Sequence, residues 1–459
     1  MSIFGKFKTY ICTAVVLVIA ISTVSCSSKT SEFPSLPSPV ASETSETIIT
    51  ESESADPVYY ELTVALPYDE QTVNYLFKLF YAKNNGYWNE SDTGLSVSLE
   101  YLDSLKTASS ITALYVPEDG VSVDTIAQWG SDRPDVFLTN DYKGTIEKGY
   151  CAPLDDVLYD DPLFDAENIY VSSVAELMYN GNLYGVPHYC SVPLIFANKD
   201  FVGEDADFKC SISELDNLFE KIENEAPEGT VVFSKGYQLV PYITSANNAE
   251  EANSYMLKAE YKSNRSSSQS SLDKAVEYVG DLYDKGVFVN SNEDGSDPVL
   301  SRNCAMWITS SSDLTLWSDY FPGKLSLMQI PSFENSDETV AYVNLYPLCV
   351  SSSAENLDLA SEFAAFISLD PDARLLINRL ENKVGFLPLI RSERVWDELK
   401  TDESFGYVVS VYESAMDKAV YTPNIIDKNL YDSIEQRLID CYNVDDGNYE
   451  LNLVEIYEK

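Results

Sequence analysis

The chain has 459 residues, of which 45% are hydrophobic and 12% aromatic, so a packed core is expected and disorder is not the default. Its formal charge is −44. This charge argues against nucleic acid and anionic lipid surfaces as partners, because both require clustered Lys and Arg. The single histidine argues against a zinc site, and we predict neither a metal nor another cofactor.

The amino terminus predicts export. Lys6 and Lys8 precede a short apolar run at 11–21, which is followed by small residues and then Cys26. This is the layout of a signal peptide, which we place at residues 1–25. The segment resembles a bacterial lipobox, although Thr23 replaces the usual leucine. The resemblance implies acylation of Cys26 and anchoring on the extracytoplasmic face of the cell membrane. The alternative is an ordinary signal peptide with an unmodified cysteine.

Residues 26–57 are rich in Ser, Thr, Glu and Pro and are predicted to form a disordered tether, because they contain few large apolar side chains. Six cysteines follow in the body of the chain without any CxxC pair, and their spacing does not assign disulfides. They are Cys151, Cys190, Cys210, Cys304, Cys349 and Cys441.

The first part of the body alternates strand and helix patterns. A strand is predicted at 59–65, before Pro67. Apolar residues at helical spacing then predict a helix through Val73 and Phe80. Further strands are predicted at 95–101 and 135–138. This alternation indicates an α/β fold with a largely parallel sheet.

The same pattern restarts later in the chain. Strands are predicted at 192–197 and 325–330, helices at 211–222 and 272–283, and the run 348–351 leads into a helix through 360–367. The carboxyl-terminal part is predicted to be helical, with Ile434, Leu438, Cys441 and Tyr442 on its buried side.

Several short motifs occur along the chain in the same order as in a known protein family. They are SDRPDVFLTNDYKGTIEKGYCAPLDDVL at 131–158, NLYGVPHYCSVPLIFANKDF at 182–201, the helix 211–222 with Ser213 and Glu214, CAMWITSSSDL at 304–314, GKLSLMQIP at 323–331, VSSSAENLDLASEFAAFIS at 350–368 and GFLP at 385–388. Together they resemble the family 1 extracellular solute-binding proteins of ABC importers, whose type members bind maltodextrins. Each motif is weak alone, but their order is specific.

This resemblance implies a two-lobed α/β fold of the periplasmic-binding-protein type, with the ligand in a cleft between the lobes. By analogy, lobe 1 comprises 58–186 plus 303–346, and lobe 2 comprises 187–302 plus 347–459. The chain is then expected to cross between lobes near 185–189, 303 and 346–348.

The implied function is delivery of a small polar ligand, a sugar or oligosaccharide, to an ABC permease by a monomeric protein that is not an enzyme. Two alternatives remain open. One is a sensor subunit that docks on a membrane receptor, and the other is an exported glycoside hydrolase that uses paired carboxylates.

Site candidates follow from the chemistry of sugars, whose apolar faces match aromatic rings and whose hydroxyls match carboxylates and amides. Loops at the carboxyl ends of strands supply such groups in open α/β sheets. This rule selects Tyr68, Asn140, Asp141 and Tyr142. Asp141 also matches the acidic cleft position of the family. Its alternative role is to cap the following helix.

Other candidates lie where the resemblance places the cleft. They are His188 and Tyr189 at the first expected crossing, Trp307 and Trp317 around a polar run at 309–313, and Tyr237 and Tyr242 in the second lobe. For each of them, a role in core packing is the alternative, because most aromatic residues in a chain of this size pack internally.

Overall fold

The computed structural model describes residues 61–86, 98–106, 110–203, 211–247, 271–331, 341–381, 383–443 and 451. The chain divides into two compact units, Met1–Glu61 with Lys106–Ser110, and Leu62–Leu105 with Ile111–Lys459. The first unit contributes only Glu61, Lys106 and Ser110 to the described residues. The predicted signal peptide, the tether, Cys26 and Cys210 lie outside the described residues.

Strands and helices alternate along the second unit. The strands are β1 Glu61–Leu66, β2 Ser110–Tyr115, β3 Val136–Leu138, β4 Met178–Tyr179, β5 Asn182–Leu183, β6 Gly185–Ser191, β7 Pro193–Asn198, β8 Val231–Ser234, β9 Phe288–Val289, β10 Cys304–Ser310, β11 Leu325–Met328, β12 Tyr342–Val350, β13 Leu387–Pro388 and β14 Val420–Tyr421.

The helices follow the same chain order. They are α1 Glu70–Asn84, α2 Leu99–Ser104, α3 Val123–Trp129, α4 Tyr142–Glu147, α5 Asp155–Leu158, α6 Val171–Glu176, α7 Lys199–Val202, α8 Ile212–Glu225, α9 Leu239–Asn247, α10 Ser271–Asp284, α11 Leu314–Tyr320, α12 Leu357–Leu369, α13 Pro371–Glu381, α14 Glu393–Lys400, α15 Gly406–Glu413, α16 Pro423–Ile426 and α17 Lys428–Tyr442. Within the described ranges, every helix lacks the length or the apolar character needed to cross a bilayer.

The first sheet has the described strands in the order β13–β6–β12–β3–β1–β2, with β14 beside β12. β1 and β3 are parallel, whereas β12 is antiparallel to both β3 and β6. All nine residues of β12 are buried, as expected for a central strand covered on both faces. Helix α1 joins this core through Phe80, whose ring lies 5.4 Å from that of Phe363 in α12.

The second sheet has the described strands in the order β11–β7–β10–β8–β9. Its core contains apolar residues from these strands and from α8, α9 and α10. Helix α17 belongs to the same core, because Ile434, Leu438, Cys441 and Tyr442 are buried in it. The pattern that predicted a buried side on this helix is therefore confirmed.

The two sheets meet at Val192, the single residue between β6 and β7. The Val192 carbonyl accepts the Ser311 N–H at 2.7 Å, and the Val192 N–H donates to Ser311 Oγ at 3.0 Å. Ser311 directly follows β10, and the neighbouring Ser310 donates its hydroxyl to Ser191 at 2.6 Å. These contacts join two chain segments at one point between the sheets.

The two-sheet α/β architecture is confirmed, but β10, β11 and most of the chain after β12 lie in the other lobe from the one expected, whereas α17 lies in the expected one. Residues 303–346 were expected in the first lobe, yet β10 pairs with β7 and β8 in the second sheet. Residues 347–459 were expected in the second lobe, yet β12 pairs with β3 at Val350 and Val136. An apolar strand pattern shows that a strand is buried but not which sheet it joins, so the analogy alone had set these boundaries.

The crossings shift accordingly. The chain passes from the first sheet to the second at Val192, returns between β11 and β12, and enters the second core again with α17. The expected crossings near 185–189 and 346–348 lie within β6 and β12 of the first sheet, and residue 303 directly precedes β10 of the second.

One predicted strand was also wrong. Residues 98–101 of the segment expected as strand 95–101 enter α2, and residues 95–97 lie outside the described ranges. Ser98 caps this helix by accepting the Tyr101 N–H, and Leu102 is fully buried. The capping interaction of Ser98 therefore favours a helix here, although the sequence alternates as a strand does.

Candidate functional site

A cavity of about 240 Å³ lies where the two sheets meet. The turn after β8 and the carboxyl end of β10 contribute to its wall, as do the start of β12 and helices α9, α16 and α17. Ligands of open α/β sheets bind at this end of the strands. We call it the junction cavity. It is lined by Pro193, Tyr237, Gln238, Pro241, Tyr242, Ile308, Thr309, Ser310, Asp313, Asn344, Pro423, Asn424, Tyr431, Ile434, Glu435 and Leu438.

A tight turn after β8 places Tyr237 and Gln238 in this wall. Lys235 adopts a left-handed conformation with φ of 54°, and a 3₁₀ turn follows. Gly236 is required in that turn, because a Cβ atom there would lie 2.1 Å from the Phe288 ring. The turn is fixed further by the Tyr237 N–H, which donates to the Tyr283 hydroxyl at 3.3 Å. Burial raises the pKa of Tyr237 to about 12, so its hydroxyl stays neutral at physiological pH.

The end of β10 contributes Asp313. The Thr309 hydroxyl donates to the Asp313 carboxylate and orients it. Burial is the main cause of a raised pKa of Asp313, and the carboxylates of Glu118 and Asp119 raise it further. Glu118 and Asp119 follow β2, so the acidic loop of the first sheet lies within electrostatic range of the second.

Helix α17 contributes Tyr431 and Glu435, which are one turn apart. Asp427 caps the start of this helix by accepting the Leu430 N–H, and it pairs with Lys143 of α4 at 2.8 Å. Burial raises the pKa of Tyr431, and the neighbouring Tyr242 and Glu435 add to this rise. The pKa of Tyr242 is raised by the same main cause, with the Glu435 carboxylate next.

Asn344 connects the cavity wall to the junction between the sheets. Its amide donates to Ser191 Oγ at 3.4 Å, and its carbonyl oxygen accepts the Thr422 hydroxyl. Ser191 also contacts the Tyr346 hydroxyl at 3.2 Å. The polar wall of the cavity is therefore continuous with the hydrogen bonds that join the sheets.

The junction cavity thus combines three tyrosine rings with carboxylates and side-chain amides. Aromatic faces pack on apolar ring faces, and carboxylate and amide oxygens accept hydrogen bonds from hydroxyls. Within the described part of the chain, no group of three or more His, Cys, Asp or Glu side chains is placed to hold a metal ion.

Among the residues selected from the sequence, Tyr237 and Tyr242 lie in the cavity wall. Asp141 does not line it. Its carboxylate caps α4 by accepting the Gly144 N–H at 2.9 Å, which is the alternative role expected for it. Tyr142 is 2% exposed and donates its hydroxyl to the Leu177 carbonyl at 2.7 Å. Tyr142 therefore occupies the first core.

Tyr68, His188 and Tyr189 form a buried polar cluster in the first core. The Tyr68 hydroxyl lies 2.5 Å from His188 Nε2, and Ser368 Oγ lies 2.9 Å from His188 Nδ1. Tyr189 donates to the Glu118 carbonyl at 2.7 Å and is 3% exposed. The three side chains are outside the wall of the junction cavity.

The two tryptophans pack against each other away from the cavity. Their rings lie 5.3 Å apart, and both contact Phe321. Trp307 is 3% exposed and also contacts Phe196, so it packs on the face of β10 opposite its neighbour Ile308.

Most residues of the cavity wall were not predicted from the sequence, because their position depends on tertiary structure. Asp313 ended a polar run that had been noted, but it was not selected. Tyr431 and Glu435 flank the buried stripe of α17, and helical spacing alone does not distinguish such a flank from a solvated one. Other polar residues of the cavity wall that were not selected are Gln238, Thr309, Ser310, Asn344 and Asn424.

Comparison with known proteins gives a family match. The family model described as bacterial extracellular solute-binding protein matches residues 80–389, which is more than half of the chain. No curated protein matches the sequence.

Solved structures resemble the fold over most of its length. The GacH receptor of Streptomyces glaucescens, solved unliganded and with acarbose, is 17% identical with a TM-score of 0.56, covering 83% of this chain and 93% of that chain. Lmo0181 from Listeria monocytogenes, solved with cycloalternan, is 15% identical with a TM-score of 0.59, covering 87% and 97%. The sugar-binding protein MalE from Xanthomonas citri is 14% identical with a TM-score of 0.56, covering 83% and 91%. At these identities the likeness concerns the fold.

Replacing Asp141 tests its role as a helix cap. Asp141→Ala removes the acceptor of the Gly144 N–H, and we expect the free energy of unfolding to fall by about 1 kcal/mol. Asp141→Asn is the control, because it keeps an acceptor and a good capping residue. Urea unfolding measures both changes. Affinity for a bound sugar that falls tenfold in both variants would instead support the ligand role predicted from the sequence.

His188 provides a second test, because it is the chain's only histidine and its NMR signal is unambiguous. Burial lowers the pKa of His188 well below its usual 6.5, and Arg374 and Lys383 lower it further. The folded protein therefore disfavours the charged ring, so the stability that His188 contributes is complete above about pH 6.5 and declines as the pH falls below it. We expect no imidazole titration between pH 8 and 6 in the folded protein. A midpoint near 6.5 would contradict the buried cluster.

Proposed function

We propose that this chain, which belongs to the bacterial extracellular solute-binding proteins, captures a sugar or short oligosaccharide in the junction cavity and delivers it to an ABC importer. The observation that carries the proposal is the cavity itself. It lies between the two sheets and combines Tyr237, Tyr242 and Tyr431 with the amides of Gln238 and Asn344. These groups match the apolar faces and the hydroxyls of a saccharide.

The size of the cavity supports a small ligand. Its volume of about 240 Å³ is slightly below the roughly 300–1,000 Å³ of sites for drug-sized molecules. One or two sugar rings therefore suit it better than a long chain. Two of the similar structures are complexes with acarbose and with cycloalternan, which supports a saccharide as the ligand class.

The position of the cavity supports a binding cycle based on closure. A ligand that contacts residues of both lobes stabilises the closed form, because only that form provides every contact. Asn344 belongs to a strand of the first sheet, whereas Asp313 follows a strand of the second. We propose that the importer recognises the closed, ligand-bound form.

We also propose that Cys26 carries a lipid anchor on the extracytoplasmic face and that residues 26–57 tether the folded body as a monomer. The support is the basic, apolar and small-residue order of the amino terminus together with the extracellular family match. The alternative partner is a membrane receptor, on which the chain would dock as a sensor subunit.

Calorimetric titration with a saccharide panel tests the proposal. The panel contains glucose, maltose, cellobiose and their amino-sugar counterparts. We expect at least one saccharide to bind and to raise the melting temperature, since ligand at 100 times its Kd adds about 2.7 kcal/mol of stability. Tyr431→Ala removes one aromatic face and should weaken this binding about tenfold or more.

Tyr101→Ala is the matched control, because Tyr101 is in α2 and does not line the cavity. Equal affinity in both variants would place the ligand elsewhere, and failure of every saccharide to bind would refute the proposal.

The glycoside hydrolase alternative rests on Asp313 and Glu435, because both carboxylates line the same cavity. Incubation of the protein with the saccharides and analysis of the products tests this alternative.

A further inference from the structure

The charged side chains in the wall of the junction cavity are all acidic. Asp313 and Glu435 both line it, and the other described lining residues include no Lys, Arg or His. Lys143 of α4 and Lys235, which precedes the turn that carries Tyr237, are each paired with an aspartate, Asp427 at 2.8 Å and Asp297 at 3.0 Å. The cavity wall therefore has two acidic groups and no built-in counter-charge.

Glu435 is positioned to act on a ligand. It is half-buried and has no hydrogen-bond or ion-pair partner among the described residues. Its carboxylate is close enough to raise the pKa of Tyr237, Tyr242 and Tyr431, in each case as an addition to burial. One unpaired carboxylate thus lies within electrostatic range of all three aromatic side chains of the cavity.

Asp313 differs because the Thr309 hydroxyl already donates to it. The carboxylates of Asp119 and of Glu118, which is also paired with Lys383 at 2.8 Å, lie near enough to Asp313 to raise its pKa. A bound cation relieves this repulsion, whereas a bound anion increases it.

Tyrosine rings and carboxylates are the groups that bind organic cations. Aromatic faces attract an ammonium group through their quadrupole. A carboxylate adds a charge-assisted hydrogen bond that is shorter and stronger than a neutral one. The junction cavity provides both kinds of group on the same wall, through Tyr431 and Glu435 of α17.

We infer that the junction cavity selects a saccharide bearing a protonated amine, an amino sugar, over its neutral and anionic counterparts. This inference rests on the proposed function and adds the charge of the ligand to it. It assigns Glu435 as the main partner of the ammonium group and Asp313 as the second.

Matched ligands test the inference. Glucosamine, glucose and glucuronate share one ring and carry a positive, zero and negative charge. The β-1,4-linked glucosamine disaccharide and cellobiose form a larger pair, and putrescine is an amine without a sugar. Calorimetric titration of the unmodified protein at pH 6.5 should show at least tenfold tighter binding of the amino sugar than of the neutral sugar in one of the two pairs. Glucuronate should bind most weakly.

Two variants locate the effect. Glu435→Gln and Asp313→Asn remove one charge each while keeping similar shapes, and the preference for the amino sugar should fall below about threefold in Glu435→Gln. Glu220→Gln is the control, because this exposed residue of α8 lies outside the cavity and its replacement changes the net charge equally. That variant should keep the full preference. Thermal unfolding confirms that each variant folds.

The outcomes separate the two claims. If the neutral sugar binds as tightly as its amino counterpart in both pairs, this inference is overturned and the proposed function is left intact. Putrescine binding without any saccharide binding overturns the proposed function. An amino-sugar preference that survives Glu435→Gln overturns the assigned site, and binding of none of these molecules overturns both claims.

Discussion

The paired hydrogen bonds between Val192 and Ser311 fix the point at which the two sheets meet. Both residues directly adjoin strands, β6 and β7 on one side and β10 on the other, so the contact sets where those strands end. Tyr237 and Asp313 follow neighbouring parallel strands of the second sheet, and Asn344 lies in β12 of the first. The cavity therefore forms as a consequence of where the strands stop.

Most of the polar side chains in the wall of the cavity are half-buried, and apolar residues such as Ile308 and Leu438 lie among them. A ligand that forms hydrogen bonds with these polar groups compensates for the water that it displaces from them. The Thr309–Asp313 and Thr422–Asn344 contacts hold two of these groups in place before a ligand arrives. A site whose groups are already oriented loses less conformational entropy on binding.

The sequence predicts local structure well where one interaction decides it. The helix through Val73 and Phe80 and the buried side of α17 follow from apolar spacing, and both are confirmed. The family resemblance, which rested on motif order, is confirmed as well. The segment at 98–101 was assigned incorrectly because a serine cap outweighed an alternating pattern.

Lobe membership and most of the cavity were beyond the reach of the sequence for a different reason. A buried strand such as β12 fits the centre of either sheet, and only its pairing with β3 and β6 decides between them. The sequence likewise does not distinguish Tyr237, which lines the cavity, from Tyr142, which packs in the core. Both distinctions depend on contacts between segments far apart in the chain.

A crystal structure of the complex with the tightest-binding saccharide tests the central claim most directly, because it locates the ligand. We predict a sugar ring in the junction cavity that contacts Tyr237 and Tyr431, with polar contacts to Glu435 and Asn344. A ligand bound elsewhere, with none of these contacts, would contradict the account.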